Sequence, residues 1–248
     1  MLSNDIKFIS TELIIEDKDI HPIPCKLNIP DWYKKLEHTI ENRTIKGCMP
    51  FLDTLTSGYI LKIPVDYFIN HNLIKGKERV TKYENTRTFL TQEHRENLNI
   101  NFYGHTQVHP EEQVGKECPF SQKNKNLSFY KIINPWIIKT PPGYSCLFLP
   151  PMNNADDRFS IIPGIVDTDV FNYEVNFPIV INGDKYPILK TTIKRGTPYV
   201  QVIPFKRDSW KMKIKKIDDK IYKKNRFLQQ INILNNYKIR WWNKKSWK

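Results

Sequence analysis

The 248-residue chain, with a mass of 29.5 kDa, is 40% apolar and 12% aromatic, so it can bury a sizeable core and wholesale disorder is excluded. Its mean hydropathy is -0.55 and no apolar run approaches the roughly 20 residues of a membrane helix, which excludes a transmembrane segment. The net charge of +13 is unevenly distributed and indicates an anionic partner: nucleic acid, an anionic membrane surface or an acidic protein face.

Residues 1–50 predict an irregular N-terminal arm with short elements. Lys7–Ile15 is rich in apolar and β-branched residues and favours a strand. Two prolines exclude a helix at His21–Pro24, because each removes a backbone donor and fixes φ. A helix is predicted at Ile29–Leu36, where Pro30 stands near the N-cap and an aspartate follows in the first turn.

Residues 51–205 predict a β domain built from short strands with proline and glycine between them. A helix near Thr91–Asn97 is expected within the polar stretch 84–126, and Asn182-Gly-Asp184 is a strong turn signal. The pattern is typical of an antiparallel sandwich or barrel. The predicted strands are Gly58–Pro64, Tyr130–Ile133, Trp136–Ile138, Tyr144–Leu149, Val175–Ile181, Ile188–Ile193 and Tyr199–Ile203.

Residues 206–248 carry almost all of the net charge. They contain 15 Lys and Arg against three Asp, a balance of +12, which leaves residues 1–205 at +1. Isoleucines and leucines between Ile214 and Leu234 fall at helical spacing with lysines opposite, so a basic amphipathic helix is predicted. Cations beside tryptophans suit single-stranded nucleic acid. The predicted contacts are Lys211, Lys213, Lys215, Lys216, Lys223, Lys224, Trp241 and Trp242.

The four cysteines are scattered singly, and no CxxC pair indicates a zinc ribbon. The first residues lack the basic and apolar succession of a secretory signal, so we expect reduced thiols and a cytoplasmic location. No P-loop and no GxGxxG segment supports phosphate binding of those kinds.

Two carboxylates are candidates for catalysis. Asp167 and Asp169 stand two residues apart in a β context, where they would share one face of a strand and could hold Mg²⁺ or activate water. A turn with solvated acids after Gly164 is the alternative interpretation. Asn153 and Asn154, followed by two aspartates, could supply oxygen ligands or form a self-capped surface loop.

Two histidines raise a third possibility. His105 and His109 are four residues apart with carboxylates nearby, which is similar to the iron site of a cupin-type barrel. No histidine follows residue 109, although such sites usually need one from a later strand. This metal site is the minority interpretation.

Three segments, in order and spacing, resemble the trimeric dUTPase and dCTP deaminase superfamily. They are Trp136–Tyr144 (W-I-I-K-T-P-P-G-Y), Pro163–Asp169 (P-G-I-V-D-T-D) and Lys194–Val202 (K-R-G-T-P-Y-V-Q-V), and Ser57–Leu61 is similar to an early segment of that superfamily. The resemblance covers roughly residues 53–203 with gaps and implies a β-clip barrel, often a trimer. The positions that match the superfamily's motifs are Asp167, Asp169, Gly196 and Gln201.

The departures from that superfamily are as informative as the matches. Ile60 stands where the first motif has a metal-linked aspartate, and Pro151–Asn154 replaces the phosphate-binding segment. Val170–Asn172 replaces a sugar-stacking tyrosine and an Arg-Gly pair, and Pro198 replaces the arginine of the fourth motif. Without those donors, charge developing on a transferred phosphoryl group would not be stabilised. We therefore expect the fold without diphosphatase activity.

The whole chain also resembles a group of uncharacterised phage and bacterial proteins of about this length. The similar elements are Ile29–Tyr33, Gly47–Asp53, Asn134–Trp136, Thr140–Ser145 and Ile203–Arg207. A phage-encoded protein would lie in the cytoplasm of its host cell.

Together these patterns predict a mainly β protein. We expect an N-terminal arm (residues 1–50), a β-clip or jelly-roll-like barrel (51–205) and a basic C-terminal helix or tail (206–248). The leading function is a non-catalytic accessory module whose tail docks onto nucleic acid or an acidic protein, with a homotrimer implied by the resemblance. One alternative is a metal-dependent nucleotide hydrolase or deaminase-like enzyme that uses Asp167 or Asp169. The other is a cupin-type iron oxygenase.

Overall fold

The residues that a computed structural model of the chain describes are 5–74, 78–84, 106–109, 111–230 and 234–248. They confirm the prediction of a mainly β chain, because antiparallel sheets supply most of the buried core. The chain forms two compact units. The first consists of Met1–Ile23 with Gly58–Lys206, and the second of Pro24–Ser57 with Arg207–Lys248.

The strands and helices follow one another in mixed order along the chain. The strands are β1 Lys7–Ile9, β2 Ile23–Pro24, β3 Tyr59–Lys62, β4 Asp66–Asn72, β5 Glu78–Glu84, β6 Thr106–His109, β7 Phe129–Ile132, β8 Ile137–Lys139, β9 Tyr144–Leu149, β10 Phe159–Ile161, β11 Gly164–Val166, β12 Phe177–Ile181, β13 Ile188–Ile193 and β14 Pro198–Lys206. The α-helices are α1 Glu12–Glu16, α2 Asp31–Lys35, α3 Met49–Thr56, α4 Glu111–Val114, α5 Pro119–Lys123, α6 Asp219–Gln230 and α7 Asn236–Arg240. Short 3₁₀ turns lie at Lys18–Ile20, Cys25–Leu27 and Ile45–Gly47.

Four sheets are present in the described part of the chain. Their strand orders are β1-β8, β10-β12-β7-β6, β13-β4-β5 and β11-β9-β14-β3, the last with the two-residue β2 at its edge. The registered pairs are antiparallel, and β13 pairs with β4 over six residues, from Ile188 opposite Asn72 to Ile193 opposite Tyr67.

The hydrophobic core of the first unit lies between these sheets. Alternation along β9 is the pattern of a half-buried strand, since Cys146 and Phe148 are buried while Leu147 is half-buried on the other face. Phe148, Phe177 and Tyr199 pack ring against ring at centroid distances of 5.4 and 5.8 Å. This packing joins β9, β12 and β14 in one core.

Most predicted strands are present, within one or two residues at each end, and the Asn182-Gly-Asp184 turn joins β12 to β13. The predicted strand Lys7–Ile15 is wrong in its second half. There the chain forms α1, which buries Ile14 while leaving Ile15 half exposed. Residues 51–56, at the start of the predicted β domain and before its first predicted strand, belong to α3, which has a proline in its first turn. The helix predicted near Thr91–Asn97 lies outside the described residues.

The basic helix begins later than its periodicity predicts. Residues 207–218 have no regular secondary structure, and α6 starts only at Asp219. The cause is Asp218, whose carboxylate Oδ1 accepts hydrogen bonds from the backbone N–H groups of Lys220 and Ile221 at 2.8 and 3.2 Å. Such a side-chain acceptor satisfies the first donors of a helix and fixes its start.

The second unit combines Pro24–Ser57 with the tail, whereas the sequence predicted an arm and a tail as separate segments. Trp32, Tyr33 and Phe51 form an aromatic cluster in this unit. Trp242 donates its indole N–H to the carboxylate of Asp53 at 3.1 to 3.2 Å, so the end of the tail is held by α3.

Candidate functional site

The two candidate catalytic aspartates lie in the turn that follows β11, beyond the strand itself. Asp167 is exposed, and its Oδ1 accepts a hydrogen bond from the hydroxyl of Ser145 at 2.6 Å. Asp169 accepts one from the backbone N–H of Gly143 at 2.8 Å. Asp169 therefore connects this turn to the Pro-Pro-Gly segment that leads into β9, and Asp167 connects it to the start of β9 itself.

A second set of hydrogen bonds reinforces the same junction. Thr168 is fully buried, and its hydroxyl lies 2.7 Å from that of Thr140 and donates to the sulfur of Cys146 at 3.3 Å. Burial raises the pKa of the Cys146 thiol to about 11, so the sulfur stays protonated near neutral pH. The ammonium of Lys139 donates to the backbone oxygen of Asp169 and to the Asn172 amide oxygen, at 3.0 and 2.6 Å. These hydrogen bonds join the turn after β11 to the end of β8 and to β9.

The asparagines lie at the other end of β9. Asn153 has a left-handed φ of 59°, in the turn after the second of two prolines, and Asn154 follows it. Gln201 is 2% exposed, and its side-chain oxygen accepts a hydrogen bond from the backbone N–H of Met152 at 3.0 Å. The buried glutamine therefore holds the asparagine turn in place.

The two candidate sets are not brought together within one chain. Ser145, which contacts Asp167, is separated from Pro150 by five residue steps along an extended strand, which is about 17 Å at about 3.4 Å per residue. A cavity of about 190 Å³ lies at the asparagine end, lined by Asn153, Asn154, Asp156 and Asp157 among others. The lining of this cavity does not include Asp167 or Asp169.

The carboxylates of this cavity are already paired. Asp156 accepts two hydrogen bonds from the guanidinium of Arg158 at 2.7 and 2.8 Å, which lower its pKa despite partial burial. Asp157 accepts from Lys185 and from the hydroxyl of Tyr186, both at 2.5 Å, and these contacts lower its pKa. Both acids stay ionised at neutral pH, and neither has the raised pKa of a proton donor.

Gly196 occupies a turn that only glycine adopts without strain, with φ of 82°. Its backbone N–H donates to the oxygen of Ile63 at 2.8 Å. The neighbouring Arg195 pairs with Asp17 and Asp19, and its own backbone N–H donates to Asp66 at 2.6 Å. The matched glycine thus belongs to a structural clamp between distant segments.

The histidine site is only partly described. His105 lies outside the described residues, and Nδ1 of His109 lies 2.5 Å from the side-chain oxygen of Gln113. Within the described ranges, no group of three or more His, Cys, Asp or Glu side chains is placed to hold a metal ion. Among those residues there is also no helix long and apolar enough to cross a membrane.

The predicted nucleic-acid contacts divide into two groups. The lysines are exposed: Lys211, Lys213, Lys215, Lys216, Lys223 and Lys224. The tryptophans differ, because Trp241 is 42% exposed whereas Trp242 is half-buried on Asp53. Trp241 lies at the end of α7 and packs against Tyr237 with ring centroids 6.1 Å apart.

A cavity in the second unit was not anticipated from the sequence. Its volume is about 640 Å³, a size typical of small-ligand sites, and its lining includes the apolar or aromatic Tyr33, Met49 and Leu52. His38 and Lys238 contribute polar groups to the same lining. The aromatic residues of Ile29–Tyr33 were a sequence signal, but Lys238 comes from about 200 residues later in the chain.

Comparisons with known proteins were negative. No protein-family model matches the chain, and a search of curated proteins finds no significant relative.

Proposed function

We propose that this protein is a non-catalytic binding module that docks onto single-stranded nucleic acid through its cationic tail. The observation that carries the proposal is the tail's charge of +12, presented on exposed lysines while residues 1–205 are nearly neutral. Like charges at this density repel one another unless a polyanion balances them.

The first unit serves in this proposal as a scaffold with a β-clip, dUTPase-like barrel. Three similarities support that fold: the strand leading to Thr140–Gly143, the turn at Asp167–Asp169 and the glycine turn before β14. The absence of catalysis in this proposal is supported by the hydrogen bonds of Asp167 and Asp169, which connect the turn after β11 to the start of β9 and to the segment before it. A phosphate-binding segment is replaced by Pro151–Asn154, which supplies no cation to a triphosphate.

Charge spacing favours a nucleic-acid strand as the partner. Lys211, Lys213 and Lys215 alternate along a segment without regular structure, and in an extended conformation they would share one side at intervals of about 7 Å. Among the described residues these three form no ion pair, so their ammonium groups can contact phosphates. Trp241 adds a half-exposed ring on which a base can stack.

Titration of a labelled single-stranded oligonucleotide at several salt concentrations tests the proposal. If the six predicted lysines each neutralise one phosphate, the logarithm of the affinity should fall against the logarithm of the salt concentration with a slope of about -4. Binding that is absent, or that does not change with salt, would overturn the proposal. Tight binding to an acidic protein, without binding to the oligonucleotide, would show that the partner of the tail is an acidic protein surface.

A matched pair of triple variants locates the contact. Changing Lys211, Lys213 and Lys215 to glutamine should reduce the slope by about 2 units. Changing the exposed Lys7, Lys26 and Lys190 to glutamine removes the same charge elsewhere and should leave the slope nearly unchanged. Equal effects of the two triples would mean that net charge, and not the tail, governs binding.

A further inference from the structure

The tail carries a second pattern that nucleic-acid binding does not use. Trp210, Met212 and Ile214 alternate with lysines, and their side chains are 91, 86 and 90% exposed. Strict alternation of apolar and polar residues is the pattern of a strand with one buried face. Among the described residues this segment has no strand partner, and its apolar side chains lie in solvent.

The first unit has a sheet edge with the complementary character. In the part of the chain that the structure describes, β11 is the last strand of its sheet and pairs on one side only, with β9. Ile165 at its centre is 63% exposed and continues an apolar row across the outer face of the sheet, through Leu147 on β9 and Ile203 on β14. The row therefore ends at an open edge with its outermost side chain uncovered.

The surroundings of this edge are also apolar and acidic. Val170 and Tyr173, just beyond the turn, are 67 and 70% exposed. Asp167 and Glu174, in the same stretch of chain after β11, are exposed, while the ammonium of Lys139 is held by the turn itself. Exposed apolar side chains with polar residues among them are typical of an interaction surface.

We propose that residues 209–214 of one copy of this chain add as a strand to β11 of a second copy. Pairing would satisfy the open backbone groups of the edge, and the period of two would place Trp210, Met212 and Ile214 beside Ile165. The lysines would then face away from the apolar row, with the carboxylates of Asp167 and Glu174 attracting them to the rim. The contact does not depend on the proposed function, because it is argued from the alternating apolar side chains and the open strand edge.

Another edge strand with an exposed apolar side chain, β13, fits less well. β13 exposes Ile188 at 58%, but the next outward residue on the same strand is the exposed Lys190. A lysine on an edge strand discourages pairing, and this one would oppose the lysines of the tail. β11 carries no charged residue, so it is the favoured acceptor.

Sedimentation velocity of the full chain, freed of nucleic acid, tests the inference over a range of protein concentrations. We expect the wild type to self-associate as concentration rises. Ile165→Asp on the edge and Met212→Asp on the tail should each raise the concentration needed by about tenfold or more. Both positions are exposed, so both variants should keep the wild-type circular dichroism spectrum.

Mixing the two variants gives the sharpest result. The Ile165→Asp copy keeps an intact tail and the Met212→Asp copy keeps an intact edge. A mixed dimer should therefore form at concentrations where neither variant associates alone. Ile188→Asp and Ile239→Asp, at positions 58 and 70% exposed, are the controls and should associate like the wild type. A wild type that is monomeric throughout, controls that abolish association, or variants that fail to complement each other would each overturn the inference.

Discussion

At the scale of single residues, carboxylates join segments that are distant in the sequence. Asp167 holds the start of β9 and Asp169 the Pro-Pro-Gly segment before it, Asp66 holds the turn before β14, and Asp53 holds the tail. An ionised carboxylate accepts several hydrogen bonds at once, which suits it to such junctions. The sequence marked Asp167 and Asp169 as candidates for catalysis. Their hydrogen-bond partners, which show a structural role, lie 22 and 26 residues away from them in the chain.

Replacement of Asp66 by asparagine should lower the free energy of unfolding by about 1–3 kcal/mol near neutral pH. Asp66 is 7% exposed and accepts from Lys194 at 2.8 Å and from the Arg195 backbone at 2.6 Å. Burial alone would raise its pKa, but these contacts hold the pKa below its ordinary value. Urea unfolding of both proteins gives the difference.

The pH dependence of that difference has a definite sign. Because the folded-state pKa is lowered, the stabilisation is fully present above the ordinary aspartate pKa of about 3.9 and is lost as pH falls through the lower folded value. The advantage of wild type over Asp66→Asn should therefore shrink on acidification. Asp184→Asn, in an exposed pair with Lys125, should cost less than about 1 kcal/mol, and an equal cost would contradict the argument.

Two glycines with the same backbone conformation should respond differently to alanine. Gly58 has φ of 76°, and an added Cβ would lie 2.0 Å from the backbone oxygen of Val202, which cannot move without disturbing β14. Gly143 has φ of 82° with nothing within 4 Å of an added Cβ. Gly143→Ala should cost about 1–2 kcal/mol for the left-handed conformation alone, and Gly58→Ala clearly more. Thermal unfolding that ranks them equally would refute the proposed clash.

At the scale of elements, local signals located those that need little support from elsewhere. Short apolar and β-branched runs between turn residues predicted β9 and β13 at their observed bounds, and Pro30 marked the start of α2. The tail helix was misplaced because its periodicity begins before Asp218, whose side chain caps the first turn. Helical spacing alone therefore overestimates a helix whose start is fixed by a cap.

The end of the tail should detach when Asp53 is replaced by alanine. The change removes the acceptor of the Trp242 indole and the partner of Lys245, which lies 2.6 Å away. A lost hydrogen bond to a charged group costs about 1.5–3 kcal/mol, so tryptic cleavage after Lys245 should accelerate about tenfold or more. Asp31→Ala, which breaks an exposed pair with Lys34, is the control and should change the rate little.

At the scale of the whole molecule, the two units differ in how much they bury. The contiguous hydrophobic cluster belongs entirely to the first unit. In the second unit the buried apolar side chains among the described residues are Cys25, Tyr33, Met49 and Leu55. Since burial of apolar surface is the main stabilising contribution, the second unit should open at a lower denaturant concentration.

The two buried cysteines report on this difference. Cys25 lies in the second unit and Cys146 in the first, and both thiols are buried in the native state. Pulsed alkylation with mass spectrometry across a urea series should label Cys25 at lower urea than Cys146. The exposed Cys48 should react without urea and serves as the reference. Coincident labelling of the two buried thiols would show that the units unfold together.

The sequence by itself determined the β character of the chain, many of its strand positions and the concentration of charge in residues 206–248. Those properties depend on alternation and composition, which are local. Only the tertiary structure decided that the candidate aspartates and the asparagine turn lie at opposite ends of β9, that Trp242 is held by Asp53, and that Pro24–Ser57 joins the tail. These outcomes depend on contacts between residues far apart in the chain, whose hydrogen bonds and packing no local pattern encodes.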